Sequence, residues 1–174
     1  MDSEVIALVI ASISLLIAGL SLGWQVAEWL LSAGRPKAKL IHGVQGRGGL
    51  ATGPVEKSGE RRNIQHLREQ GFDGPEVIGV QVTNHGRSPV TVDSIALRLR
   101  GGTMSLVALT ELLGPELPHR LEAGTNESWY VDADLGHRLV AASRSALHEQ
   151  IRGVYMTVAF GTGKSITTPT TLRM

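Results

Sequence analysis

An uninterrupted apolar segment near the N-terminus constrains this chain more than any other feature. Val5 to Ala27 is 23 residues long and carries no charge, and its polar breaks are three serines and one glutamine. As an α-helix the segment is about 34 Å long, enough to cross a hydrocarbon core of about 30 Å with some tilt. A helix on the surface of a soluble protein would have a broad polar face instead. The sequence therefore predicts a transmembrane helix at residues 5–27, within an anchor at residues 1–34.

The residues that follow are typical of the end of a membrane helix. Trp24 and Trp29 lie where an interfacial aromatic belt is expected, and helices commonly end at residues such as Gly34 and Pro36. A cleaved signal peptide is the alternative, because Ser32-Ala33-Gly34 is a suitable cleavage site. The acidic N-terminus and the length of the apolar run favour an uncleaved anchor.

The charges that flank the segment predict its orientation. No Lys or Arg precedes it, whereas Arg35, Lys37 and Lys39 follow it closely. Positive residues near a membrane helix remain on the cytoplasmic side. We therefore expect a single-pass protein of the inner (cytoplasmic) membrane, with its C-terminal domain in the cytoplasm. These three basic residues, with Trp24 and Trp29, are the expected interface residues.

Small residues form two neighbouring stripes on the predicted helix. Such residues let two helix backbones approach closely, so that dispersion and weak hydrogen bonds hold them together. They are also common in membrane helices that act only as anchors. Association with a second copy or a partner helix therefore stands beside simple anchoring as a hypothesis. The first stripe contains Ala7, Ala11, Ser14, Ala18 and Ser21, and the second is the G-x-x-x-G motif of Gly19 and Gly23.

The rest of the chain has the composition of one ordinary domain. From Arg35 onward it contains 17 basic and 13 acidic residues. This mild excess is spread along the chain and predicts a solvated surface, not a nucleic-acid-binding face. The absence of cysteine excludes disulfides, thiolate nucleophiles and Cys-ligated zinc. The domain must therefore be stabilised by core packing.

Residues 35–75 are expected to contain a partial strand and a flexible glycine-rich loop. Lys37 to His42 alternates weakly, but eight glycines between residues 43 and 74 disfavour regular structure. Residues 60–70 are able to form two or three helical turns. Arg61, Arg62 and Arg68 have the charge to contact phosphates or lipid headgroups, although a solvated loop explains them as well.

Residues 76–174 form the predicted β domain. A β-bulge is expected near Asp93-Ser94, where the alternation of strand 90–100 is interrupted. Asp132 or Asp134 is expected to cap a helix that runs to about Gln150. About seven short strands and one short helix predict a mainly β fold, a sandwich or barrel. The clearest strands are expected at 76–84, 90–100, 104–109, 128–132, 151–160 and 165–172, with a hairpin turn at Gly161–Lys164.

Three segments resemble a group of known proteins. They are GWQVAEWLLSAGRPKAKL at 23–40, VTNHGRSPVTV at 82–92 and PHRLEAGTNESWYVD at 118–132. In these segments the chain resembles small membrane-anchored proteins of high-GC actinobacteria and their phages. The resemblance implies that the β domain is an immunoglobulin-like sandwich. It implies no catalytic residues.

The motifs that suggest chemistry have simpler explanations. Gly161-Thr-Gly-Lys-Ser165 resembles the end of a P-loop, but Val158 stands where the first glycine is needed. The six histidines contain no H-E-x-x-H motif and no close pair, so surface or capping positions are expected for them. Helix capping explains Asp132 and Asp134 better than metal binding does. We therefore expect no catalytic residue, cofactor or metal site.

These patterns favour one functional hypothesis and leave an alternative open. The favoured hypothesis is a non-enzymatic, membrane-anchored β-sandwich that binds another protein through exposed strand edges or the 43–75 loop. The alternative is a phage- or prophage-encoded membrane effector, holin-like or an immunity protein, that acts through helix association. The expected partners are the membrane and either a protein or a second copy of the helix, and not nucleic acid. An enzyme has the least support, because no nucleophile–base pair can be named.

Overall fold

A long N-terminal helix precedes the folded domain. The computed structural model describes residues 3–61, 63–107 and 112–174. Helix α1 spans Ser3–Ser32, so the predicted helix extends five residues beyond Ala27. It continues because no glycine or proline occurs between Ala27 and Gly34. Within the described residues α1 is the one helix long and apolar enough to cross a membrane, although a signal sequence near the N-terminus can meet the same criteria.

Two antiparallel sheets and two further helices follow α1 in the described part of the chain. The first sheet has the strand order β2-β1-β3-β7, and the second has the order β5-β4-β8-β9, with β6 also paired to β4. The mainly β prediction is confirmed. The elements in chain order are β1 (Pro36–Gly46), β2 (Gly49–Pro54), α2 (Gln65–Glu69), β3 (Glu76–Asn84), β4 (Val90–Arg100), β5 (Ser105–Val107), β6 (His119–Leu121), β7 (Asn126–Asp132), α3 (Ala133–Leu147), β8 (Gly153–Phe160) and β9 (Ser165–Thr167).

One hydrophobic core lies between the sheets. Leu40 and Val80 of the first sheet belong to the same buried cluster as Leu97 and Met156 of the second. Each fully buried side chain of this size stabilises the fold by about 1.5–3 kcal/mol. Trp129 is fully buried in this cluster, and its indole N–H donates to the carbonyl of Pro115 at 2.8 Å. The polar end of the largest core residue is therefore satisfied.

Several local predictions for the β domain are confirmed. The register of β4 against β8 shifts between Val92 and Ser94, which is the expected bulge. Residues 161–164 join β8 to β9 as a turn between antiparallel strands. The Asp132 carboxylate accepts a hydrogen bond of 2.8 Å from the backbone N–H of Asp134 and so caps α3. Of the strand expected at 104–109, β5 forms 105–107, and its last two residues lie outside the described part, as does Arg62.

The glycine-rich stretch differs from the expected loop. Its first half continues β1 to Gly46 and forms β2, so residues 36–54 are a hairpin at the edge of the first sheet. Local composition is misleading here because nine residues of β1 pair with β3, which lies far away in the sequence. The composition of a short stretch gives no information about such a pairing. A Cβ at Gly43 would overlap the carbonyl of Ala51 on β2. Glycine at that position therefore permits close pairing of the strands.

The strands run between two opposite ends of the domain. β1 leaves α1 at Pro36 and extends for 11 residues, roughly 36 Å, to the turn at residues 46–49. We call the end near Pro36 the helix-proximal end, which also contains the turns at 84–90 and 160–165. The other end, which carries the turn at 46–49 and the start of α3, is the distal end. The pairings Pro36 with Asn84 and Val92 with Phe160 establish this arrangement.

Candidate functional sites

The small residues singled out in the sequence all lie on α1, with exposed side chains or open glycine faces. A Cβ added at Gly19 or Gly23 would have no atom within 4 Å. The hydroxyl of Ser14 donates to the carbonyl of Ile10 at 2.8 Å, so this serine is satisfied within its own helix. These faces are open to a second helix, and their role in association stays a prediction. The residues are Ala7, Ala11, Ser14, Ala18, Gly19 and Gly23.

The predicted interface residues lie at the end of α1 and the beginning of β1. Trp24 and Trp29 are 72% and 74% exposed. Lys37 and Lys39 share one face of β1 and are exposed, because the alternate residues point towards the core. Arg35 lies between the helix and the strand with an exposed side chain. The five residues are therefore close along the chain, although their contact with a membrane stays a prediction.

A buried asparagine connects the end of α1 to the β domain. Oδ1 of Asn84 accepts hydrogen bonds from the backbone N–H groups of Arg35 at 3.2 Å and Gly86 at 3.0 Å. Its Nδ2 donates to the carbonyls of Ser88 at 2.8 Å and Glu122 at 3.3 Å. The side chain of Asn84 is fully buried. One amide therefore joins the chain leaving the helix, the turn after β3 and the segment before β7.

Two glycines allow this junction to pack closely. A Cβ on Gly86 would overlap backbone atoms of Ala33 and Arg35, and a Cβ on Gly34 would overlap Cγ1 of Val90. The backbone N–H of His85 also donates to the carbonyl of Arg35 at 3.1 Å. Sequence reasoning interpreted residues 84–89 only as a turn. The structure shows that this turn is also the surface on which the residues after α1 lie.

A polar cluster lies near the distal end. His42 is 2% exposed, and its Nε2 lies 2.5 Å from Oε1 of Glu76. Arg61 approaches the same carboxylate oxygen at 3.9 Å and donates to Nε2 of His137 at 2.7 Å. Nδ1 of His42 has no hydrogen-bond partner among the described residues. The cluster joins β1, β3, α3 and the segment after β2.

The electrostatics of this cluster centre on one carboxylate. The hydrogen bond with His42 lowers the pKa of Glu76 below its ordinary value. Burial opposes this shift, and the charge of Arg61 and those of the two imidazoles, when they are protonated, add to it. Glu76 is therefore ionised at neutral pH. Because Arg61 has only donors, Nε2 of His137 must be the acceptor in their hydrogen bond. The proton of neutral His137 is then on Nδ1.

The cluster borders a small polar cavity. The cavity has a volume of about 250 Å³ and is lined by His42, Glu56, Glu60, Arg61, Asn63 and two apolar residues. No hydroxyl or amine nucleophile is among these residues. Within the described ranges, no group of three or more His, Asp or Glu side chains is arranged to hold a metal ion. The contacts of the cluster connect two strands of the first sheet to α3 and to the segment after β2.

The expectation that the histidines occupy surface or capping positions was wrong for His42. It lies between Leu40 and Val44 on the inward face of β1, where both neighbours are fully buried. The alternation Leu40-x-His42-x-Val44 was the signal that places it there. Glu76, Arg61 and His137 are distant in sequence, so no local pattern predicts their proximity to it. His148 does cap α3, with a left-handed backbone at φ 52°.

The helix-proximal end carries a larger and more apolar cleft. Its volume is about 700 Å³, and it lies between the residues that follow α1 and the turn joining β8 to β9. Pro36, Val90, Phe160 and Ile166 are among its lining residues, and Lys164 provides a cation. The Gly161–Ser165 segment that resembled a P-loop is this turn, and a strand follows it. Comparison with models of known protein families and with curated proteins finds no match to this chain.

Proposed function

We propose that this chain is a single-pass, membrane-anchored interaction module whose helix α1 spans the cytoplasmic membrane. The supporting observation is the exposure of large apolar side chains along the helix, such as Leu8, Leu15 and Leu20 at 70%, 76% and 75%. A continuous apolar surface of this length is unfavourable in water. Insertion in a bilayer removes that penalty, and the backbone groups of a helix are already satisfied there.

The basic residues after α1 support an orientation with the β domain in the cytoplasm. Arg35, Lys37 and Lys39 are exposed and follow the helix directly, and no basic residue precedes it. A phosphatase fused to the C-terminus should then be inactive, because the enzyme matures only after export. Phosphatase activity equal to that of an exported control would contradict the orientation.

We also propose that the two sheets form an immunoglobulin-like sandwich. Two antiparallel sheets around one core with a buried tryptophan support this arrangement. The resemblance to membrane-anchored proteins of actinobacteria and their phages points to the same fold. An experimental structure of the domain would test the strand connections.

The outer edge of β2 is the surface that we propose binds a protein partner. The N–H of Val55 donates to the carbonyl of Leu40 at 2.9 Å, so the backbone groups of Val55 point towards β1. Because these directions alternate along a strand, the backbone groups of Leu50 and Thr52 point to the free edge. Among the described strands, only β1 pairs with β2. A partner strand added here would extend the first sheet.

A proline at Thr52 tests this edge. Thr52→Pro removes an N–H that points outward and leaves the bonds to β1 in place. Thr52→Val is the matched control, since it keeps the N–H. In pull-downs from detergent extracts, a partner recovered by the wild type should also be recovered by Thr52→Val. Thr52→Pro should weaken the affinity for this partner at least about tenfold, which corresponds to about 1.4 kcal/mol of binding free energy. Recovery of no specific partner, or equal recovery by all three proteins, would contradict the proposal.

A phage- or prophage-encoded membrane effector is the second candidate function. The observation that favours it is the open face at Gly19 and Gly23, where a second helix could approach the backbone. Replacing both glycines with Leu should then abolish self-association, measured by cross-linking in membranes, and any effect of expression on cell viability. Ile17→Leu, about half a helical turn away, is the control. Unchanged association and viability in the double variant would reject this function.

A further inference from the structure

We propose that the helix-proximal end of the β domain rests on the membrane surface and binds the headgroup of an anionic phospholipid beside Lys164. This inference rests on the proposed function, because it requires that α1 span the bilayer. It adds a ligand class and a second membrane contact to the anchor. The observations that support it are the position of the cleft, the hydrogen bonds of the junction and the distribution of charge.

The cleft is located at the level where α1 leaves the membrane. The predicted membrane segment ends at Ala27, and α1 continues for five residues to Ser32, about 7.5 Å along the helix axis. The headgroup layer on each side of a bilayer is about 5–8 Å thick. Pro36, only four residues after the helix, lines the cleft. The opening therefore lies near the outer boundary of the headgroups.

The junction restricts how far the cleft can move from that boundary. Arg35 is bonded through its N–H to the buried side chain of Asn84 and through its carbonyl to the N–H of His85. The N–H of Gly161, at the start of the β8–β9 turn, donates to the carbonyl of Thr91 at 3.0 Å. These bonds connect the helix end, the turn at 84–90 and the turn at 161–164. The helix-proximal surface therefore stays beside the helix that anchors it.

The exposed charge at this end is mainly positive. Its unpaired basic residues form no ion pair with any residue that the structure describes. Of the acidic residues nearby, Glu122 is already paired with Arg120 at 2.8 Å. Glu28, Asp93 and Glu127 form no ion pair within the described residues, and the five unpaired basic residues outnumber these three acids. Each basic residue close to an anionic membrane strengthens binding roughly fivefold. The unpaired residues are Arg35, Lys37, Lys39, Arg87 and Lys164.

The chemistry of the cleft fits an amphiphile better than a free anion. Val90 and Ile166 are partly exposed apolar walls, and Lys164 is a cation beside them. A phospholipid would place its phosphate on Lys164 and its glycerol and upper acyl carbons against these walls. Inorganic phosphate would satisfy the lysine and leave the apolar walls in water. The pairing of cation and apolar surface is therefore the feature that selects the lipid.

The experiment uses a single reporter thiol in the full-length chain, which contains no cysteine of its own. His85→Cys places a fluorophore on the exposed turn after β3, at the helix-proximal end but outside the residues that line the cleft. Gly48→Cys is the matched control at the distal end, where an added Cβ meets no atom within 4 Å. Both proteins are reconstituted in phosphatidylcholine vesicles with or without phosphatidylglycerol. Quenching by a headgroup-labelled lipid then reports the distance of each fluorophore from the membrane.

The expected result is quenching at residue 85 several times stronger than at residue 48, and stronger still with phosphatidylglycerol. The double variant Arg87→Gln and Lys164→Gln should reduce the quenching at residue 85. The double variant Arg47→Gln and Arg68→Gln, at the distal end, should leave it unchanged. Equal quenching at residues 85 and 48 would overturn the docking. No response to phosphatidylglycerol, or the same response to inorganic phosphate in phosphatidylcholine vesicles, would overturn the anionic lipid as ligand. Flotation of the vesicles tests the anchor separately, since a chain that does not float contradicts the proposed function itself.

Discussion

The buried side chain of Asn84 accepts a hydrogen bond of 3.2 Å from the backbone N–H of Arg35, three residues after α1 ends. This contact joins residues 49 positions apart in the sequence. It means that the β domain is attached to the end of the helix by a packed junction. The orientation of the domain relative to the helix is therefore a property that mutations can test.

Asn84→Ala should destabilise the β domain by about 2–3 kcal/mol, because it leaves several buried backbone groups without partners. Chemical denaturation of the full-length chain in mild detergent, followed by tryptophan fluorescence, measures the change. Asn126→Ala is the matched control, since the Asn126 side chain is exposed and accepts one hydrogen bond of 3.3 Å from Gln81. Equal effects of the two substitutions would show that the Asn84 network is not important for stability.

Gly86→Ala should also weaken the junction, by about 1–3 kcal/mol, because its Cβ would overlap backbone atoms that cannot rotate away. We expect faster hydrogen exchange at Arg35 and His85, whose backbone groups bond to each other across the junction. Gly48→Ala introduces the same group where no atom lies within 4 Å, so its effect should be close to zero. Unchanged exchange in Gly86→Ala would argue against close packing at this site.

His42 and Glu76 should show strong energetic coupling. In a double-mutant cycle with His42→Leu and Glu76→Leu, the coupling energy is expected to be about 1–3 kcal/mol, because His42 is buried and each single variant leaves one partner unpaired. Arg47 and Asp73 form the control pair, at 3.8 Å with side chains 91% and 62% exposed. Their coupling should be near zero. Similar coupling in the two pairs would contradict the distinction between buried and exposed contacts.

The same carboxylate predicts a dependence of stability on pH. Because the pKa of folded Glu76 lies below its ordinary 4.5, its ionised form stabilises the fold at all pH values above 4.5. This contribution decreases as the pH falls through the lower, folded-state pKa. The free energy of unfolding of the wild type should exceed that of Glu76→Gln by a constant amount above about pH 5.5, and the difference should shrink below pH 4.5.

Glu69→Gln is the control for this measurement, because Glu69 is exposed and has no ion pair within the described residues. Its difference from the wild type at about pH 7 should be close to zero, because the substitution removes no ion pair of the described residues. A difference between wild type and Glu76→Gln that persists unchanged to about pH 3 would contradict the assigned direction of the shift.

Some elements are predicted well by the local sequence pattern. In these elements the residues meet the same kind of surroundings along the whole length. α1 follows from 23 uncharged residues, and strand β4 follows from its alternation, including the bulge at Asp93. The capping of α3 by Asp132 depends on residues two positions apart. In each case the information needed lies within a few neighbouring residues.

The elements that were missed depend on contacts between distant residues. β2 contains two glycines and a proline, and it is a strand because β1 offers a partner for all six residues. The distal cluster brings together His42, Arg61, Glu76 and His137, which no spacing rule connects. The role of Asn84 was hidden because its sequence neighbours are typical of an ordinary turn. Non-local pairing decided each of these features.

The central claim is that α1 is a permanent membrane anchor and not a cleaved signal sequence. The most direct test is the intact mass of the protein recovered from membranes after washing with alkaline carbonate. We predict a full-length species of 18.6 kDa that remains in the membrane fraction. A shorter species in the soluble fraction, beginning near Gly34, would show cleavage after α1 and contradict the claim.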